Sequence, residues 1–204
     1  MKKLPLAPNG IFYSRQGEGH LRGFPMVFVR LAGCSIGCPS CDTDYSVDMK
    51  LDLDYILNEV RVCSPSEWRD RWVWITGGEP TDHDLVPLIR CMKEAGYSVA
   101  VATAGHRRFV PTVDWLSVSP HTPDSWAQQY GHEVKLVPGL NGYSIEDFLK
   151  ARPDDETDFW YRYVQPLWKD GREDEASLAT CLEFLDAHPN WALSRQDHKH
   201  WSLP

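Results

Sequence analysis

The chain has 204 residues, 42% of them hydrophobic and 25% charged, and a formal net charge of −8. That length fits a single domain, expected to span 1–204, with a sizeable core, and the acidic balance argues against a surface that tracks nucleic-acid phosphates. No apolar run reaches transmembrane length and no signal-peptide core follows Met1-Lys2-Lys3, so a cytoplasmic chain with reduced thiols and no membrane contact is expected.

In chain order, Ile11 to His20 contains Gln16-Gly17-Glu18-Gly19, whose two glycines mark a backbone that turns tightly or lies close to something. Met26 to Leu31 reads as a strand, with Arg30 as its polar exception: either a surface charge or a cation for a ligand. Leu53, Ile56, Leu57 and Val60 recur at helical spacing, with Asp52 or Asp54 as cap. Trp72 to Thr76 is a strand ending in Gly77-Gly78-Glu79-Pro80. There paired glycines open backbone groups to a ligand and Glu79 adds a carboxylate. Leu85, Leu88, Ile89 and Met92 mark a second helix stopped at Gly96.

Further strands are expected at Ser98 to Ala102, Trp115 to Ser119, Glu133 to Val137, Phe159 to Gln165 and Trp191 to Leu193. Ser144 caps a helix that stops before Pro153. Ala176 to Ala187 is a helix with Leu178, Cys181, Leu182 and Leu185 on its apolar face. This alternation implies an α/β fold with a mostly parallel sheet. Connections such as Thr103 to Asp114 are too short for long helices, so a partial (incomplete) β/α barrel is expected. In such sheets ligands sit at the carboxyl ends of the strands. The loop after Leu31, Gly77-Gly78 and Ser119-Pro120 all fall there.

Chemistry concentrates in Gly33 to Tyr45. Cys34, Cys38 and Cys41 stand four and three apart, so one tight loop can offer three thiolates to three irons of a [4Fe-4S] cube and leave the fourth iron open. A structural zinc would need a fourth ligand from Cys63, Cys91, Cys181 or a His. Zinc sites usually come as paired C-x2-C knuckles, of which only Cys38 and Cys41 make one.

The C-x3-C-x2-C run followed by Gly77-Gly78-Glu79-Pro80 resembles the radical S-adenosylmethionine (SAM) superfamily. Within it, the chain resembles the 7-carboxy-7-deazaguanine synthases. The matching features are Gln16 to Gly19, Val29 to Cys34, Cys41 to Thr43, Thr76 to Pro80, Ser119-Pro120, Gln165-Pro166, Gln196 with His198-Lys199, and the final Pro204. The resemblance implies conversion of 6-carboxy-5,6,7,8-tetrahydropterin to 7-carboxy-7-deazaguanine with loss of ammonia, using a [4Fe-4S] cluster, SAM and Mg2+. It implies Cys34, Cys38 and Cys41 as cluster ligands and Thr43 as a Mg2+ ligand. Arg15, Gln16, Gly17, Arg30, Thr76 and Pro204 would contact the pterin. Ser40, Asp42, Gly78, Ser119, Pro120, His121, Gln165, Pro166, Leu167 and Trp168 would line the SAM site. It further implies a homodimer and an electron donor such as a flavodoxin. The chain departs from the family at His121, where the family has Lys, and at Ala102-Thr103-Ala104-Gly105, where it has Glu-Thr-Asn-Gly. A glycyl-radical-enzyme activase, which shares the cysteine spacing, and a zinc- or cluster-stabilised binding module are the alternatives.

Overall fold

The structure, a computed structural model, describes residues 3–39, 41, 43–109 and 111–204. Its elements are β1 (Leu4–Arg15), β2 (Pro25–Leu31), β3 (Met49–Leu51), α1 (Leu53–Cys63), β4 (Trp72–Gly77), α2 (Val86–Glu94), β5 (Ser98–Thr103), β6 (Trp115–Val118), β7 (Tyr130–Leu136), α3 (Ile145–Ala151), β8 (Asp158–Val164), β9 (Trp168–Lys169), β10 (Arg172–Glu173), α4 (Glu175–Ala187), β11 (Ala192–Leu193) and α5 (Asp197–His200). The chain divides into two compact units. The first holds residues up to Arg15, Phe24–Thr103 and Phe109–Leu116. The second holds Gln16–Gly23, Ala104–Arg108 and Ser117–Pro204.

In the first unit β2 pairs in parallel with β4, and β4 with β5, while β1 runs antiparallel to both β2 and β3. Val27, Val29, Val73, Ile75, Val99 and Val101 are fully buried, as are Ile56 and Val60 of α1 and Leu88 and Met92 of α2. Each such side chain contributes about 1.5–3 kcal/mol. These strands read as continuous β-branched runs because both faces are covered. Asp52 caps α1 by accepting from Tyr55 N at 2.9 Å, as its sequence suggests. β1 was not legible in the sequence. Its register with β2 shifts between Leu6 and Ile11, and Asn9 there takes a φ of 49°. A Pro-Asn-Gly turn signal thus sits inside a strand as a bulge.

In the second unit β6, β7, β8 and β11 pair in parallel, in that order. α3 connects β7 to β8, and α4 connects β8 to β11. Trp126, Ile145, Phe148, Leu136 and Val164 fill the core, with Trp126 and Phe148 in an edge contact at 6.4 Å. Ser144 closes a capping box with Asp147 at the start of α3. α4 forms where the periodicity places it, but its buried face is Ser177, Cys181 and Phe184, and Leu182 is 48% exposed. The spacing of four and three selects Cys181 and Phe184, and Leu182 lies about 100° round the helix from Cys181. The β9–β10 hairpin turns on Asp170 and Gly171, both at positive φ, the demand of a tight two-residue hairpin that Asp-Gly meets. That dipeptide was its signal in the sequence. The chain is therefore α/β with a large, mostly parallel sheet that stays open, as a partial barrel requires. Among the described residues no helix is long and apolar enough to cross a membrane.

Candidate active site

In the first unit β2 delivers the three-cysteine loop and β4 delivers the segment that grips it. Gly78 N donates to Leu31 O at 2.8 Å and Glu79 N to Gly33 O at 3.0 Å. Asp82 takes both donors of Ser35, its N–H at 2.7 Å and its hydroxyl at 2.8 Å. His83 Nε2 lies 2.9 Å from Ala32 O. This lacing needs glycine at position 78, where a Cβ would stand 2.6 Å from the carbonyl carbon of Gly33 and 3.2 Å from Cys34 Cβ. Glu79 is buried, but its Oε1 accepts from Thr81 N, Thr81 Oγ1 and Thr103 Oγ1 at 2.7–2.9 Å. This oxygen holds the backbone turn and the end of β5.

Cys34 and Cys38 are half-buried, Cys41 is exposed, and none of the three is in a disulfide. Cys41 N donates to Cys38 O at 3.2 Å, which folds the loop between its second and third cysteines. Among the described residues no three His, Cys, Asp or Glu side chains converge as ligands of one ion. A four-iron cube asks for one thiolate per iron at three separate corners, and three cysteines outside any disulfide on one gripped loop fit that demand. The other cysteines are held as thiols. Burial, with Glu173, pushes Cys181 up to about 12, and burial also raises Cys63 and Cys91.

Thr43 is half-buried, and its carbonyl lies 3.7 Å from Cys41 Sγ. Arg30 and Thr76 are register partners across the parallel β2–β4 pair, so both leave the same face of the sheet. The Arg30 guanidinium stands 4.6 Å from the centre of the Phe12 ring, a cation–π seat rather than a fully solvated one. Arg15 ends β1 in an exposed position. Ser40 and Asp42 lie outside the described residues.

In the second unit the carboxyl ends of the parallel strands carry Ser119-Pro120-His121 after β6 and Gln165 to Trp168 after β8. Ser119 Oγ donates to Lys135 O at 3.2 Å, and His121 O accepts from Asn141 Nδ2 at 3.1 Å. Gln165 and Pro166 are buried. Leu167 N donates to Ser177 Oγ at 2.9 Å, and Trp168 takes the Lys199 ammonium over its ring at 5.3 Å.

The same unit holds Gln16 and Gly17, both buried. Gly17 O accepts from Asp197 N at 3.0 Å, and a Cβ on Gly17 would stand 2.6 Å from His198 N. The chain end is therefore folded onto this loop. Arg22 pairs with Asp197 and lies 5.9 Å from the Trp201 ring centre. Leu203 N donates to His198 O at 2.9 Å, while Pro204 itself is exposed. Residues missed by sequence reasoning hold the rest of the loop. Glu133, buried, accepts from His20 N at 2.8 Å; Ser194 accepts from Gly19 N at 2.9 Å and donates to Gln165 Oε1 at 2.6 Å. Lys135 pairs with Glu18. Their signal was two charges, Glu133 and Lys135, two residues apart on one face of a strand whose apolar residues Val134 and Leu136 are buried.

No protein-family model matches the chain. It is similar to a 7-carboxy-7-deazaguanine synthase of Burkholderia multivorans, 31% identical over 95% of this chain and 97% of that one. A second, from Bacteroides thetaiotaomicron, is 33% identical over 94% of each. Among solved structures it resembles the crystal structure of QueE from Escherichia coli, with a TM-score of 0.73 and 27% identity over 95% of this chain and 94% of that one.

Proposed function

The chain belongs to the 7-carboxy-7-deazaguanine synthase family, and on that premise we propose how its residues divide the work. It is a radical SAM enzyme that converts 6-carboxy-5,6,7,8-tetrahydropterin to 7-carboxy-7-deazaguanine with loss of ammonia, a step of 7-deazapurine biosynthesis. When bound, a [4Fe-4S] cluster with SAM supplies a 5′-deoxyadenosyl radical that takes a hydrogen from the substrate. The observation that carries the reading is the three-cysteine loop, whose start, from Leu31 to Ser35, is held by Gly78, Glu79, Asp82 and His83.

In the first unit Cys34, Cys38 and Cys41 take the irons, and Gly78 offers a backbone without side chain to SAM. Arg30, beside Thr76, offers a planar fork for the pterin carboxylate, and Arg15 adds charge. Thr43 is the oxygen-bearing candidate for Mg2+, and Ser40 and Asp42, which flank Cys41, serve SAM. In the second unit Ser119 to His121 and Gln165 to Trp168 serve SAM, and Gln16, Gly17 and Pro204 serve the pterin. Residues 1–204 are assigned to a single radical SAM domain in this reading. An electron donor such as a flavodoxin, a homodimeric assembly and a cytoplasmic setting, where thiols stay reduced, complete the proposal.

The test is anaerobic: the iron-reconstituted chain with SAM, Mg2+, a reductant and the carboxypterin, product followed by mass. Formation of 7-carboxy-7-deazaguanine is expected. Failure with this substrate, together with a glycyl radical appearing on a partner protein, would make the chain an activase. A colourless protein holding one zinc would end both enzyme readings.

A further inference from the structure

The second unit contains a buried charged cluster to which the proposed chemistry gives no task. Glu18 is the only charged residue of the Gln16-Gly17-Glu18-Gly19 loop, and it points inward. Its carboxylate pairs with the Lys135 ammonium and accepts from Gln196 Nε2 at 3.0 Å. The Lys135 and Glu18 side chains are 7% and 18% exposed. Glu18 N donates back to Gln16 Oε1 at 3.1 Å, so the carboxylate residue and the Gln16 side chain are fixed together. Two residues back along β7, Glu133 accepts from His20 N, and after β11 Ser194 accepts from Gly19 N. The loop and the residue after it are thus held at three successive positions, 18 to 20, twice by side chains of β7 and twice by the 194–196 segment.

A buried ion pair is an expensive way to hold a surface loop, because an apolar pair of the same volume stabilises as well or better. What charge adds is direction: the ammonium and the carboxylate meet in one geometry, and a slipped loop would leave both ions unpaired. Burial alone would raise the Glu18 carboxyl, but the Lys135 ammonium, with His198 and Gln196, overrides it and holds the group at about 2. Burial likewise opposes the Lys135 charge, and Glu18 with Glu133 restores it.

We propose that the buried Lys135–Glu18 pair is a positioning device for the pterin: it sets the place of Gln16 and Gly17, and neither charge takes part in the chemical step. This rests on the reading that Gln16 and Gly17 contact the substrate. The pair then governs affinity, and the turnover of bound substrate is left to the cluster and SAM.

The experiment uses the full, iron-reconstituted chain. Glu18→Gln/Lys135→Met removes both charges of the pair together, and the buried Glu133 keeps its bond from His20 N. The expected result is a rise of about tenfold in pterin KM, equivalent to ~1.4 kcal/mol. At saturating pterin kcat stays within about twofold, and iron content and SAM affinity match the wild type. A purely structural role would lower Tm and leave KM alone. Native KM in the double variant overturns the proposal, as does a fall in kcat at constant KM. Gln196→Ala removes one bond to Glu18 and no charge; it should raise KM severalfold, and it carries the test should the double variant fold poorly. Gln16→Ala separates the layers. Raised KM in Gln16→Ala beside native KM in the double variant means that the loop binds substrate but the pair does not place it. Native KM in both removes the loop from the substrate site altogether.

Discussion

Arg30 occupies a place where two physical demands meet. Its strand neighbours are buried, yet its guanidinium must stay charged, and the Phe12 ring face 4.6 Å away supplies an apolar surface that accepts a cation. Lys would keep the charge and lose the planar fork. Arg30→Lys is therefore expected to raise pterin KM by about tenfold or more, from the ~1.5–3 kcal/mol of a charged hydrogen bond. Steady-state kinetics at fixed SAM checks it, with unchanged iron content as the control. The cysteines divide just as sharply. Cys34→Ala, Cys38→Ala or Cys41→Ala should each abolish iron binding and the brown absorbance, whereas Cys63→Ala, Cys91→Ala and Cys181→Ala should keep both. Iron per chain after reconstitution decides between them. At this scale the sequence was most informative, because cluster ligands need a fixed spacing on one loop. Glu133, Lys135 and Ser194 stayed hidden because their partners lie more than 100 residues away, and no local pattern encodes such a meeting.

The strand ends do the positioning among the elements. β4 stops at Gly77, whose φ of 118° is open to glycine alone, and the chain then doubles back along the cysteine loop. Asp82 is the far clamp of that return, meeting both donors of Ser35. Asp82→Ala leaves the Gly78 and Glu79 bonds in place and frees the residue after Cys34. The cluster should still assemble, but iron should be lost to a chelator several times faster than in the wild type. An equal half-time would show that Asp82 does not restrain the loop. The parallel strands and α1 to α4 were readable from periodicity and caps because each is a regular run with its own terminators. β1, β3 and the β9–β10 hairpin were not, for three different reasons. β1 carries a turn signal within its bulge, β3 has three residues, and β9 and β10 have two each. Strands so short owe their geometry to neighbours rather than to composition.

For the whole molecule the charged pair of the second unit sets a dependence on pH. Glu18 falls from its ordinary 4.5 to about 2 on folding. A depressed carboxyl stabilises the fold at pH values above 4.5, and that contribution is lost as pH falls towards 2. Lys135 is raised, so its contribution is present below its ordinary 10.5 and lost only above it. The pair's full contribution to stability is thus present from about pH 5 to pH 10. Between pH 5 and pH 2 the wild type should lose up to roughly 3 kcal/mol more than Glu18→Gln/Lys135→Met, since the shift is about two and a half units. Urea unfolding at stepped pH measures the difference, and parallel curves would mean that the pair contributes nothing to acid sensitivity. The discontinuity of the second unit has another consequence, in time rather than energy. Its Gln16–Gly23 segment leaves the ribosome early, but the partners Ser194 and Gln196 stand 175 and 178 residues further on. Closing so long a loop is slow, while every segment of the first unit has been made once Leu116 is synthesised. A nascent or prematurely ended chain would therefore grip its cysteine loop and accept iron while its Gln16-to-Gly19 loop still waited for Ser194 and Gln196 to be made.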